Sequence, residues 1–327
     1  MISFSEATNQ IRQSQPGEHQ GTDGTATPAV ETSPQLANSV PVPVTVVVCA
    51  RNRGSMIGRC LDSVIRANPA EIIVVDGNST DETVAVARAK GVTVLSDNGA
   101  GLGAARQLGA SAAKNEYVVF VDTDVVVEPE TLQLLLDEAK EENYDALQAE
   151  LRTLSGKPTY WQGAERWRRE VQMRKGVAAV LGCQITLVRK DLLLTVGFDP
   201  AFKGAAEDAD FCFRARAAGA VVAHSARAVA YHEDRGTLAD FVEQKIWHGR
   251  GLARMITRYG RQYLNRAAEQ VDAHVGATKI NARYLPYLLV SWSFTALGVA
   301  LESMRLARDS ALRQRLTSVQ GASVQSA

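Results

Sequence analysis

The chain has 327 residues, 46% hydrophobic and 22% charged, the balance of a soluble globular protein with one large domain or two ordinary ones. Thirty-six Lys and Arg offset thirty-six Asp and Glu, so no basic field exists to hold nucleic acid by counterion release. The composition also excludes collagen, wholesale disorder and a multi-span membrane protein. Four scattered cysteines (Cys49, Cys60, Cys183 and Cys212) contain no C-x-x-C pair, which argues against a zinc knuckle or disulfide framework and suits a reducing compartment.

Residues 1–40 are rich in Gln, Ser, Thr, Gly and Pro, with four acids against one base and no apolar run after Met1. We read 1–42 as a disordered lead-in, since it offers too little apolar surface to offset ordering entropy, and not as a secretory signal. The β-branched run Val44–Cys49 suits a strand buried on both faces. Met56, Ile57, Cys60, Leu61, Val64 and Ile65 follow at helical spacing, closed by the turn Asn68-Pro69. A second strand, Glu71–Val75, ends on Asp76, and Thr80 or Asp81 can cap the next helix. Val92–Leu95 is a third strand, a Gly/Ala-rich helix begins near Gly101, and Tyr117–Val121 is a fourth strand. Pro129 suits the first turn of a further helix, and Asp145–Leu151 is a fifth strand. This alternation predicts an α/β fold with a mostly parallel, doubly wound sheet.

In such sheets ligands sit beyond the carboxyl ends of strands, where Asn52, Asp76, Asp122 and Asp124 fall. Asp122-Thr123-Asp124 places two carboxylates where one hard cation, Mg²⁺ or Mn²⁺, could be held beside phosphates. D-x-D is also a common solvated turn, so its position after a buried strand is what raises its weight. The segment Glu207-Asp208-Ala209-Asp210 opens a helix that Gly219 would stop. Its acids could simply complement the helix dipole, or one could deprotonate an attacking hydroxyl. His232 is either a structural hydrogen-bonder or a metal ligand. Gln244, Trp247, His248 and Arg250 lie on one helical stretch, either an amphipathic surface or a cover for a sugar or phosphate. Gly99-Ala100-Gly101-Leu102-Gly103-Ala104 matches G-x-G-x-x-A, but it follows the third strand, so the dinucleotide-binding reading is weak.

Taken in order, VVVCARNRG (46–54), IIVVDGNSTDET (72–83), GLGAARQLGA (101–110), YVVFVDTDVVVEP (117–129), GFDPAFKGAAEDADFCFRARAAG (197–219) and the segment 232–251 resemble the family 2 glycosyltransferases of the GT-A fold. The resemblance covers roughly 44–251 and implies a glycosyltransferase domain over 43–262 with C-terminal helices over 263–327. It implies metal-dependent, inverting transfer of one sugar from a nucleotide-sugar, a UDP-sugar by preference. Ala50, Asn52, Asp76, Arg106, Asp122, Asp124, Trp247 and Arg250 would bind the donor, Asp76 by accepting the ring N–H of the base. Asp124, Asp122 and His232 would hold Mn²⁺ or Mg²⁺. Asp208 would be the general base, with Glu207 orienting acceptor or sugar. Gln-Lys-Ile-Trp-His-Gly-Arg (244–250) departs from the Q-x-x-R-W motif of processive relatives, which favours single transfer. A nucleotidylyltransferase would want a Gly/Arg/Lys-rich loop after the first strand, and Cys49–Gly54 lacks its repeated glycines. A silent binding scaffold is disfavoured by the intact acids.

The acceptor is not legible. Residues 152–175 hold seven bases against two acids, with Trp161 and Trp167 among them, either a solvated face or a surface for anionic lipid or a lipid-linked phosphate. Residues 284–301 are eighteen without a charge, at the lower edge of bilayer-spanning length, so spanning, lying on and avoiding a membrane all stay open. Together these lean toward a cell-envelope or lipid-linked acceptor and a cytoplasmic enzyme at the inner face of the plasma membrane.

Overall fold

Alternation within the first strand explains the layers. Strand β1 (Val42–Ala50) sends Val44, Val46 and Val48 to one face of the sheet and Val47 to the other, all fully buried. The computed structural model describes residues 40–154, 157–172, 176–177, 181–202, 204–265 and 281–324. The lead-in expected for 1–42 thus lies, up to residue 39, outside the described residues, and β1 begins at Val42.

After β1 come α1 (Gly54–Arg66), β2 (Pro69–Asp76), α2 (Thr83–Ala89), β3 (Thr93–Ser96), α3 (Leu102–Ala112) and β4 (Tyr117–Val121). They are followed by β5 (Val125–Val127), α4 (Thr131–Glu141), β6 (Ala146–Thr153), α5 (Tyr160–Gln172), β7 (Gly176–Val177) and β8 (Ile185–Arg189). The chain continues through α6 (Lys190–Val196), α7 (Glu207–Ala217), β9 (Val222–His232), α8 (Leu238–Tyr259) and α9 (Leu285–Val324). Gly219, the expected helix stop, takes φ 94° two residues after α7 ends.

The sheet runs β3-β2-β1-β4-β8-β6-β9-β5, with β7 also on β9. β3, β2, β1 and β4 are parallel, as their crossover helices require, but β8 is antiparallel to both β4 and β6. The sheet is therefore mixed beyond β4, where the strand–helix alternation of the sequence stops. One core packs α1 and α4 on the sheet through Ile57, Leu61, Val64, Leu132 and Leu135, and the other packs α3, α6 and α7 through Ala105, Ala110, Leu193, Phe211 and Ala215. Each fully buried Leu or Val contributes about 1.5–3 kcal/mol relative to exposure. No disulfide joins the four cysteines.

A third, smaller cluster unites Ala164 of α5, Phe241 of α8 and Tyr287 of α9. At its centre buried Glu165 accepts from Lys245 Nζ at 2.6 Å and from Tyr287 Oη at 2.9 Å. The basic 152–175 stretch is largely committed: Arg168 pairs with Glu165, Arg169 with Asp234 and Arg152 with Glu150. Arg174 and Lys175 lie outside the described residues.

Candidate active site

The ends of β1, β2 and β4, the start of α7 and one side of α8 enclose a cleft of about 670 Å³. Its position follows from the parallel half of the sheet, whose strand ends all open toward it. Cys49, Ala50, Arg51 and Arg53 form one wall, with Gly77 and the loop 97–102 beside them. Buried Asp97 shapes that loop, its carboxylate accepting from the N–H groups of Gly99 at 2.8 Å and Gly101 at 3.0 Å. The G-x-G run is therefore a turn clasped by an acid, with Gly99 and Gly101 at φ 75° and 114°.

Asp122-Thr123-Asp124 is the kink between β4 and β5, and all three residues line the cleft. β5 pairs antiparallel with β9 in a register that sets Val125 opposite His232, which brings the imidazole to Asp124. His232 Nε2 lies 3.5 Å from Asp124 Oδ1, and its Nδ1–H donates to Asp234 at 2.8 Å. Asp234 is in turn held by Arg169 and Thr153. Burial lowers the affinity of His232 for its proton, but the two carboxylates outweigh it and lift the imidazole to about 9. Burial raises Asp124, and the hydrogen bond and charge of His232 prevail to lower it. Apart from this 3.5 Å approach of His232, buried Asp124 Oδ1 has no hydrogen-bond partner.

Glu207 and Asp208 open α7 after Ala206, a non-glycine residue at φ 73° in the left-handed region. Strain of this kind costs about 1–3 kcal/mol and persists only where packing dictates it. Here Gly251 of α8 packs against the loop, with room for no side chain: an added Cβ would lie 2.8 Å from that of Ala205 and 2.9 Å from that of Ala206. Arg106, 3% exposed, donates to Glu207 and, at 3.2 Å, to Asp122, joining the two acidic pairs across the cleft floor. Burial pushes Glu207 up to about 8, reinforced by Asp208 and opposed by Arg106. Glu207 Oε2 is buried without a partner, while half-buried Asp208 faces the cleft. Asp210 points away, bonded to Arg214 at 2.9 Å and to Tyr259, so the structural alternative holds for that acid.

Of the residues singled out in the sequence, Ala50, Arg106, Asp122, Asp124, Glu207, Asp208, His232 and Trp247 line this one cleft. Asn52, Asp76 and Arg250 do not. Asn52 is exposed, and its Oδ1 accepts from the Thr80 N–H at 2.9 Å. Asp76 is buried, and its carboxylate accepts from the Ser79 N–H at 3.1 Å. Arg250 is exposed on α8, off the lining face. The expected trio Asp122, Asp124 and His232 is not a ready-made metal cage: among the described residues no three His, Cys, Asp or Glu side chains converge on one cation position. Asp122 is committed to Arg106 and His232 to Asp234, which leaves Asp124 as the acid with an open oxygen. Asp97, Gln184, Arg235, Glu243 and Tyr263 also line the cleft. Sequence reasoning missed them. Only Arg235 and Glu243 lay within a stretch already singled out, the segment 232–251.

Comparison with known structures places the fold. The structure covering residues 1–349 of TarS from Staphylococcus aureus, in complex with UDP-GlcNAc, superimposes with a TM-score of 0.51 at 20% identity, covering 78% of this chain and 81% of that one. A longer TarS chain matches with a TM-score of 0.50 at 22% identity, covering 78% and 49%. The fold is thus the GT-A α/β fold, a mixed sheet with helices and a C-terminal helix added. Residues 45–196, just under half of the chain, match the family model described as glycosyl transferase family 2. Glycosyltransferase GlyG of Streptococcus pneumoniae is 30% identical over 112 residues, 32% of this chain and 37% of its own. The 4,4'-diaponeurosporenoate glycosyltransferase of S. aureus is 36% identical over 89 residues, 25% and 24% of the two chains. The chain thus spans little more than a third of the length of the first of these relatives and about a quarter of the other.

Proposed function

We propose that this protein transfers a single sugar from a nucleotide-sugar, preferably a UDP-sugar, to an acceptor hydroxyl with inversion at the anomeric carbon. The observation that carries the reading is that Asp124 and Asp208, 84 residues apart in sequence, line one cleft large enough for such a donor. The match of 45–196 to family 2, and a TarS structure carrying UDP-GlcNAc, support the donor class.

Asp208 is the base. Its carboxylate takes the proton of the acceptor hydroxyl as that oxygen attacks the anomeric carbon, opposite the departing diphosphate. Glu207 is a positioning residue, fixed by Arg106 so that the start of α7 keeps Asp208 over the cleft. Trp247, 41% exposed, with Gln244 and His248, covers the sugar or acceptor side. The open Asp124 oxygen and the neighbouring Asp122 are hard donors that fit Mg²⁺ or Mn²⁺, which commonly takes one or two carboxylates and completes its shell with substrate phosphates. Such a cation would neutralise charge developing on the diphosphate. His232 orients Asp124. Side chains without disulfides suit a reducing compartment, so we place the reaction in the cytoplasm, with a lipid-linked or cell-envelope acceptor.

The test is hydrolysis of a panel of UDP- and GDP-sugars by the full chain, with and without Mn²⁺. Cation-dependent release of nucleoside diphosphate from one donor is expected. Release of pyrophosphate from sugar phosphate and nucleoside triphosphate instead would identify a nucleotidylyltransferase, and no turnover of any donor a silent scaffold.

A further inference from the structure

We propose that the outer face of α9 lies flat on an anionic membrane surface, with α8 as the layer that joins it to the cleft. α8 and α9 run side by side in the same direction: the Phe241 and Tyr287 rings meet tilted at 5.1 Å, Gly249 meets Gly298, and Arg254 Nε reaches Glu302 at 2.8 Å. The backbones touch at the two glycines, where a Cβ on Gly249 would fall 2.1 Å from the Thr295 carbonyl oxygen and one on Gly298 would fall 2.2 Å from that of Ile246. One face of α9 is therefore fixed to protein.

The opposite face carries Leu285, Leu289, Trp292, Leu297, Leu301 and Met304, all large, apolar and open to solvent, with Leu289 61% and Trp292 64% exposed. No charge interrupts it from Tyr284 to Leu301. Basic residues flank the run. In the sequence Lys279 and Arg283 precede it without an acid between them, and Arg308, Arg313 and Arg315 follow, while Arg305 is held by Glu302 and Asp309. An apolar helix face with basic ends fits a bilayer of anionic lipid, where each added Lys or Arg contributes about 1 kcal/mol and the apolar side chains enter the acyl boundary.

Crossing the bilayer does not fit the same contacts. Eighteen uncharged residues reach only ~27 Å at helical rise, short of the ~30 Å hydrocarbon thickness. A crossing would also draw α8 into the lipid, with its exposed Glu243 and Arg250, and a central Arg costs about 2.5–3.5 kcal/mol by insertion scales and more by simulation. Lying on the surface buries the open face and leaves α8 in water. The Trp247 side of the cleft stands on that same α8, so a lipid-borne acceptor would meet it close to the surface.

The experiment is flotation of the full chain with phosphatidylcholine vesicles, with and without phosphatidylglycerol. The expected result is binding that requires phosphatidylglycerol and is released by high salt or alkaline carbonate. Leu289→Glu with Trp292→Glu should weaken it at least about tenfold while thermal unfolding and donor hydrolysis are retained. In the wild type, brominated lipid should quench a fluorescence component that Trp292→Phe removes, a readout that stands even if the double variant folds poorly. Failure to float, or retention after carbonate, would overturn the proposal. So would loss of self-association in the double variant without any vesicle binding, which would assign the face to a second copy of the chain. None of these outcomes depends on donor turnover, so this inference and the proposed activity fail separately.

Discussion

Arg106→Met tests the link that joins the two acidic pairs. The Arg106 and Glu207 side chains are 3% and 2% exposed, so methionine would leave a buried carboxylate without its counter-ion. Methionine also takes the partner from Asp122, and breaking such a buried pair from one side costs about 3–5 kcal/mol. For a domain of this size each kcal/mol shifts Tm by about 2–4 °C, so calorimetry should find a fall of roughly 6–20 °C. Glu207→Gln alone should cost less, about 1–3 kcal/mol, since Arg106 keeps its 3.2 Å bond to Asp122. The double variant should be more stable than the sum of the two losses predicts, by about 0.5–3 kcal/mol, the usual coupling of contacting groups. Strict additivity, or an Arg106→Met protein as stable as the wild type, would show that the pair does not hold the cleft floor together.

Asp208→Asn should leave donor binding by calorimetry close to wild type while turnover falls about 100-fold or more, and unchanged turnover would remove Asp208 as the base. Asp124→Ala should abolish the Mn²⁺-dependent part of UDP affinity, and an unaltered titration would refute its role. Gly251→Ala would set a Cβ 2.8 and 2.9 Å from those of Ala205 and Ala206 and displace the loop before Glu207, so turnover should drop about 100-fold with donor affinity largely kept. Equal losses in binding and turnover would mean general disruption instead. Burial raises Glu165, but Arg168 and Lys245 prevail and hold it at about 2 against an ordinary 4.5. Because the folded value is depressed, its contribution, roughly 3 kcal/mol by linkage, is complete above pH 4.5 and is lost as pH falls toward 2. The stability gap between wild type and Glu165→Gln, from urea unfolding, should therefore narrow across that window, and a constant gap would contradict the burial of the cluster.

The parallel half of the sheet was readable because each of its strands is a short apolar run followed by a helix with a regular stripe. β1 to β4 fall within a few residues of their expected bounds. β5 has three residues and β7 two, below the length at which periodicity speaks, and β8 gives no alternation because both its faces are buried. The acids at 122, 124, 207 and 208 were visible because strand ends and helix starts are where α/β ligands gather. Asp76 was picked out for the same reason, and the turn after it supplies the Ser79 N–H to its carboxylate. Neither the Arg106 bridge nor the role of Gly251 could be read from spacing, since each depends on where α3, α7 and α8 come to rest on the sheet.

The shortness of β5 has a consequence for tolerance to change. Side chains along a strand point alternately up and down, so shifting this edge strand by one position against β9 would set Val125 opposite Tyr231 or Glu233 and carry Asp124 away from the imidazole, which β9 keeps in place through its pairing with β6. A single-residue insertion or deletion between 125 and 127 should thus disable the protein as thoroughly as loss of an acid, while touching nothing in the cleft directly. The stretch least forgiving of altered length is a three-residue ribbon at the sheet's margin.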